Sequence, residues 1–267
     1  MVILFWAKKT FFKFMELGLG LRTCFPLETK DPIFVNFKLS PEEQARVQKS
    51  LPAGIRMEPV RFLEGDTEAS YWISYNLYQL KYPKPELAHI RKGRCEINTF
   101  VTDAKGRKGI YVFSGSPYVS REQSFSVFGW ICDMAERAVI AIYGCGQLIA
   151  LEYGLGDREL RADFREGANQ FTLTQDVTTS KVRSGLQLSQ DYWRFNDISF
   201  FRSGRSIDYV QVNSAFYLAR LDETDPDKLA KWDFSSPFFP PEQRRRPDQI
   251  LIHRGEIAYL VNALNPA

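Results

Sequence analysis

From Arg91 to Tyr143 the chain reads as strand, turn, strand, helix, and that order limits what can be assembled around it. Arg94 to Asp103 alternates: Cys95, Ile97, Thr99 and Val101 fall on one face, and Glu96, Asn98, Phe100 and Thr102 on the other. Asp103 to Gly109 is rich in glycine and charge, which is a turn composition, and Ile110 to Phe113 is a second short apolar strand. Two extended runs joined in this way predict a hairpin. Ser120 then stands where a helix N-cap belongs, and Gln123 completes a capping box. Phe125, Phe128, Ile131 or Cys132, Ala135, Ala138 or Val139, and Ile142 recur at helical spacing, and Asp133 and Arg137 form an i,i+4 pair on the other side. Gly144 and Gly146 end this helix, which is the longest expected.

The remaining chain supplies mostly strands. Pro26 to Pro32 reads as a linker and Ile33 to Leu39 as a strand. Ser40-Pro41-Glu42-Glu43 is a helix start, with an N-cap serine, proline at the first helical position and glutamate at the third; the helix ends by Leu51. Ile55 to Leu63 is a strand that Pro59 confines to an edge or a bulge. Ser70 to Leu80 carries aromatics on both faces, so both are expected to be covered and one can face a cavity. Gln147 to Tyr153, Arg158 to Phe164, Gln170 to Gln175 and Lys181 to Leu188 are further strands. Trp193 to Phe201 and Ser206 to Leu218 form a hairpin, Asp225 caps a short helix through Trp232, and Gln249 to His253 and Glu256 to Val261 are two separate apolar elements.

Strands outnumber helices and their connections are mostly short, which favours antiparallel pairing; no repeated βαβ unit occurs. The expected fold class is therefore α+β: a curved antiparallel sheet or barrel with a few helices around an apolar cavity. A single domain spans 33–267, preceded by an N-terminal segment, 1–32. In that segment Val2 to Trp6 is apolar, and Lys8, Lys9 and Lys13 interleave with Phe11, Phe12 and Phe14. The run is too short and charged to span a membrane, and its order is reversed from a secretory signal. Residues 1–17 either lie as an amphipathic helix at a membrane interface or pack on the domain.

Aromatics make up 14% of the 267 residues, with 21 Phe, enough for a large aromatic core or an apolar cavity. A net charge of +3 does not point to nucleic acid, and Arg244-Arg245-Arg246 sits among prolines as a solvated loop. The four cysteines form no C-x-x-C pair, and the two histidines, His89 and His253, have no metal-ligand spacing. Free thiols place the chain in a reducing, cytoplasmic compartment, with membrane association through the N-terminus as the variant of that reading. No metal and no cofactor are expected. A homo-oligomer is compatible with the sequence.

Two sites carry chemistry. Gly115-Ser116-Pro117 is not a nucleophile elbow, and Gly18-x-Gly20 lacks the third glycine of a dinucleotide loop. Tyr118 to Glu122 follows a strand and opens a helix, where free N–H groups attract anions, and Arg121 adds a fork of donors. Glu96 and Asn98 project from one face of the hairpin beside it, so a carboxylate and an arginine meet if that face lines a cavity. Trp193 and Asn196 are the second candidate, at a pocket mouth. Plainer roles stand beside these: Arg121 and Glu122 as first-turn surface residues, Glu96 facing solvent, and Trp193 to Asp197 as a turn held by Asn and Asp side chains.

Three of these features resemble the acetoacetate decarboxylase-like superfamily. They are Leu51-Pro52-Ala53-Gly54 after a short helix, the hairpin Glu96 to Val101 with Gly109 to Phe113, and Ser120-Arg121-Glu122 directly after it. Together they span about a third of the chain. The resemblance implies a barrel-like fold around an apolar cavity, with Arg121 and Glu122 near it. Members of the family carry a Schiff-base lysine shortly after a G-R-E-like segment. Here Ser120 replaces the glycine, and Gln123 to Trp130 contains no lysine.

The expected function is accordingly an enzyme acting on a small hydrophobic molecule bearing a carboxylate or carbonyl, by acid/base chemistry of lyase or isomerase type without an imine. Arg121, Glu122 and Glu96 would be catalytic, and Asn98, Tyr118, Trp193 and Asn196 would bind substrate. The other reading is a non-catalytic binding protein for an apolar ligand such as an isoprenoid or pigment.

Overall fold

The computed structural model describes residues 24–81, 92–117, 150–166, 168–203, 206–240 and 245–262. Strands dominate, and they form two sheets. The larger contains β1 (Cys24–Lys38), β2 (Arg56–Met57), β3 (Trp72–Lys81), β4 (Lys92–Thr102), β5 (Lys108–Pro117), β9 (Lys181–Leu186), β10 (Ile198–Ser203), β11 (Ser206–Thr224) and β13 (Gln249–Asn262), in the order β10-β5-β4-β3-β1-β13-β11-β9, with β2 on β4. The smaller runs β12 (Lys231–Ser235), β8 (Asn169–Asp176), β7 (Glu159–Glu166), β6 (Ala150–Leu155). Two short helices are described, α1 (Pro41–Ser50) and α2 (Gln190–Phe195).

The predicted hairpin forms with the predicted faces. Strand β4 pairs antiparallel with β3 through Ile73↔Thr99, Ser74↔Asn98, Tyr75↔Ile97 and Asn76↔Glu96, and with β5 on its other side. Helix α1 starts as its sequence dictates: Glu43 N–H donates to Ser40 Oγ at 3.3 Å and Ser40 N–H to Glu43 Oε2 at 2.8 Å, satisfying two of the free donors of the first turn.

The sheet is mixed rather than uniformly antiparallel, because β10 runs parallel to β5 at Ser199↔Ile110 and Phe200↔Tyr111. The long stretch between β5 and β10, which includes β6 to β9 and α2, allows that parallel pairing. Gly109 lets the strands approach: a Cβ there would lie 2.5 Å from the Ile198 carbonyl oxygen. Strand β10 also pairs along its length with β11, antiparallel, so it is hydrogen-bonded on both sides, to β5 and to β11.

Several elements differ from the sequence reading. The expected linker at Pro26 to Pro32 lies within β1, with Pro32 at a register shift where a ladder N–H is not required. Of the strand expected over Ile55 to Leu63, only β2 and isolated bridges at Val60 and Leu63 form. Trp193 belongs to α2, whose N-cap Ser189 accepts from Tyr192 N–H. Residues Pro226–Lys228 make only a 3-10 turn, and Trp232 is in β12. The two expected C-terminal elements are one strand, β13, bent at Gly255 (φ 140°). Gly255 N–H donates to Asp31 Oδ1 at 3.0 Å, and Asp31 itself has φ 45°. Register shifts at this level in β1 and β11 carry the bend across three strands.

Each face of the large sheet has its own core. On the outer face Ile33, Val35, Phe37, Ile73, Tyr75, Leu77 and Ile97 are buried against Leu160, Phe164, Phe171 and Leu173 of the smaller sheet. Tyr75 meets Phe171 edge-on at 5.7 Å, and Phe37 stacks on Phe234 at 4.7 Å. Each such ring contributes about 1.5–3 kcal/mol through burial, and each well-placed pair about 0.5–1.5 kcal/mol more. On the inner face Phe34, Phe62, Trp72, Phe100, Tyr192 and Phe195 form a second cluster, with α2 and the segment before β3 laid over it. Among the described residues no helix is long and apolar enough to cross a membrane. The helix expected over 120–142 and the N-terminal segment 1–17 lie outside the described residues.

Candidate functional site

Strand alternation sorts the residues of the inner face into rows. At one end Phe100 is covered by α2, 5.6 Å from Phe195 and 5.8 Å from Tyr192, and Trp72 lies 5.5 Å from Phe62. The next row is polar. Ser74 Oγ donates to Asn36 Oδ1 at 2.7 Å, Asn36 Nδ2 to Gln249 Oε1 at 3.0 Å, and Gln249 Nε2 to Glu223 Oε1 at 3.3 Å. Arg183 closes the chain from β9, its Nε 2.6 Å from Glu223 Oε2. This network crosses five strands and accounts for its own donors and acceptors.

Asn98 lies beside Ser74 in register, and Asn76 and Glu96 face each other in the following row. Asn98 Nδ2 donates to Glu96 Oε1 at 2.9 Å. Asn98 is 1% exposed and Asn76 9%, whereas Glu96 is only partly buried. The Oδ1 atoms of Asn98 and Asn76 are buried and accept no hydrogen bond among the described residues. A buried carbonyl oxygen left in this condition costs about 1–3 kcal/mol, and few buried side-chain atoms of the described residues are in it. The surroundings are apolar: Phe34 pairs with Asn76 and Val112 with Asn98.

His253, also on the inner face, sits with its ring 4.7 Å from Phe34, edge to face. Burial pushes its pKa down to about 3, so the imidazole is neutral near pH 7. Neither His253, which lacks metal-ligand spacing, nor Asn76 is among the site residues expected from the sequence. Both could have been found from strand alternation, since His253 shares a face with Gln249 and Leu251, and Asn76 with Trp72 and Ser74.

The predicted site is brought together in part. Glu96 and Asn98 share the inner face as their alternation required. Trp193 and Asn196 are on α2 and its C-cap, not at the start of a strand. That helix packs at Phe100, four residues or roughly 13 Å along β4 from Glu96. Arg121, Glu122 and Tyr118 lie outside the described residues. The lysines are accounted for in part: Lys105 and Lys108 are exposed at the β4–β5 turn, and Lys181 pairs with Asp222 at 3.4 Å. Burial alone would raise the Asp222 pKa, but hydrogen bonds and charge from Arg220 and Lys181 outweigh it and hold the carboxyl low.

No family model and no curated protein matches this chain. Among solved structures, the chain is similar to the acetoacetate decarboxylase of Legionella pneumophila, with a TM-score of 0.52 and 9% identity over 90% of this chain and 87% of that one. An acetoacetate decarboxylase-like enzyme from Sphingomonas wittichii RW1 aligns with a TM-score of 0.49 and 11% identity, over 90% of this chain and 91% of that one. The first of these likenesses is one of fold: the chain has an acetoacetate decarboxylase-like architecture.

Proposed function

We propose that the chain is an enzyme of lyase or isomerase type that moves a proton on a small, largely apolar carbonyl or carboxylate compound, without forming an imine. The observation that carries this reading is Glu96, a partly buried carboxylate oriented by Asn98 on an inner face that also carries an aromatic cluster. A partly buried carboxylate held in a fixed orientation is suited to proton transfer. The acetoacetate decarboxylase-like fold supports a lyase reading by analogy. In this reading Arg121 holds the substrate oxygen, and Glu96, with Glu122 as its alternative, carries the proton. The inner face is the wall of an apolar cavity within a barrel-like sheet.

The test is deuterium exchange and carbon dioxide release from a panel of β-keto acids and their ketones, followed by NMR. Glu96→Gln should lower turnover by about 100-fold or more, in the range of general acid/base contributions. Arg121→Ala should lower it as well, with little loss of folding. Undiminished turnover in both variants overturns the reading.

An imine needs an amine that is largely unprotonated, held so by burial or a neighbouring cation. Gln123 to Phe128 offers none. Borohydride treatment with acetoacetate should therefore leave the protein mass unchanged, and a stable lysine adduct would restore an imine mechanism.

A further inference from the structure

The acceptors on the inner face narrow what the substrate can be, given the reading of that face as the site. We propose that the carboxamide oxygens of Asn76 and Asn98 form a recognition point for a hydrogen-bond-donating group, a hydroxyl or an N–H, on an otherwise apolar molecule. The orientation of Asn98 is fixed. Its Nδ2 donates to Glu96 Oε1 at 2.9 Å, and turning the amide over would set oxygen against oxygen. Its Oδ1 is therefore held as an acceptor, 1% exposed for the residue as a whole, with no donor among the described residues. Asn76 Oδ1 is in the same condition on the neighbouring strand. The register Ser74↔Asn98 and Asn76↔Glu96 makes the two asparagines diagonal neighbours on one face.

The adjacent row shows that this is not general untidiness. Ser74, Asn36, Gln249, Glu223 and Arg183 on the same face are joined into one chain of hydrogen bonds. Only the two oxygens beside Glu96 are left over in these rows. With Phe34 and Val112 paired alongside, the local chemistry is two acceptors and a carboxylate in an apolar wall. A substrate carboxylate placed there would bring lone pairs against lone pairs, whereas a hydroxyl, amide N–H or ammonium would supply the missing donor. The substrate class narrows from any carboxylate or carbonyl compound to a carbonyl compound that also carries a hydroxyl or N–H. Any carboxylate it has must be held elsewhere, as Arg121 would hold it.

The full chain is titrated at pH 7 with hexan-1-ol, hexylammonium and hexanoate, and amide chemical shifts are followed. The alcohol and the ammonium should bind, and hexanoate at least about tenfold more weakly. The chain's net charge of +3 would by itself favour hexanoate, which makes the order informative. Asn76→Leu should weaken both donors about tenfold, and Asn76→Asp should keep the alcohol and tighten the ammonium. Hexanoate binding as tightly as the donors, no binding by either donor, or donor affinities indifferent to Asn76→Leu would overturn the proposal. If Asn76→Leu does not fold, loss of alcohol binding in Asn76→Asp overturns it. The test is separable from that of the proposed function. Donor binding as expected with full turnover in Glu96→Gln leaves this site standing and removes the acid/base reading. The reverse result removes only this site.

Discussion

The outer and inner faces of the large sheet are made by the same strands, yet they treat polar groups differently. On the outer face the buried side-chain oxygens of the described residues have partners: the Tyr75 hydroxyl lies 2.9 Å from Ser236 Oγ and 3.1 Å from Asn169 Oδ1, and Gln175 bonds both Thr224 and the Asp225 carbonyl. The buried side-chain oxygens without a partner among the described residues are those of Asn76, Asn98 and Thr102, and all three lie on the inner face of β3 and β4. A satisfied, ring-packed face secures the fold. A face that leaves acceptors bare in an apolar wall gives up stability that a bound group can restore.

This contrast is tested most strongly on the outer face. Phe171 is 2% exposed and packs on Tyr75, Phe164 and Trp232. Phe171→Ala should remove about 3–5 kcal/mol of unfolding free energy, measured by urea titration. A loss below 1 kcal/mol would mean that the two sheets do not form one core.

The inner face should show itself next, through pH. His253 has its folded pKa lowered to about 3 from 6.5 by burial. Between those values the unfolded chain binds a proton that the folded one refuses, so stability falls as the pH falls. Taking the pH to 4 should remove roughly 3 kcal/mol, and His253→Leu should flatten this slope. Asp103 and Asp222 act lower. Burial raises both, but hydrogen bonds from Arg107 and Arg220 outweigh it, so their contribution is lost only as pH falls through their depressed values. An unchanged slope in His253→Leu would place the acid sensitivity elsewhere.

A smaller effect is expected where the strands that bear both faces meet. A Cβ on Gly109 would lie 2.5 Å from the Ile198 carbonyl and 2.6 Å from Phe200 Cε2. Gly109→Ala should therefore cost about 1–3 kcal/mol through overpacking and loosen β10 from β5. Amide exchange at Ser199 and Phe200 should accelerate before that of β3. Equal protection with and without the substitution would mean that the parallel pairing does not depend on this glycine.

Local chemistry explains what the sequence revealed. Ser40 and Glu43 announce α1 because a cap involves only neighbours, and Cys95 to Thr102 announces its faces because alternation is local. The same logic misreads Trp193 to Phe195, which it assigns to the start of a strand. Trp193 and Phe195 suggest a strand among large apolar residues, but Ser189 caps a helix that includes them, and Tyr192 and Phe195, three apart, are buried together on the inner face. Gly255 looks like a break between two elements because nothing nearby shows that Asp31, far away in sequence, accepts its N–H. In the site, Glu96 and Asn98 were legible as a shared face. That Asn36 would meet Gln249 across 213 positions, leaving Asn76 and Asn98 outside the network, depends on strand order, which periodicity does not encode.

The smallest expected change is the one that separates the two faces most directly. On the outer face every substitution that removes a buried group should destabilise. Asn76→Leu replaces a buried carboxamide whose oxygen has no partner by an apolar side chain of similar size, beside Phe34. Removing an unsatisfied acceptor relieves its desolvation penalty, so the variant should be unchanged or more stable by up to about 1 kcal/mol in urea. The matched change Tyr75→Phe removes a hydroxyl that has two partners, and should cost about 1 kcal/mol. Opposite signs would mean that the inner face tolerates its bare acceptors for binding and not for folding. A loss in Asn76→Leu as large as that in Tyr75→Phe would mean that the Asn76 oxygen is satisfied in the folded protein, and the distinction between the faces would fall.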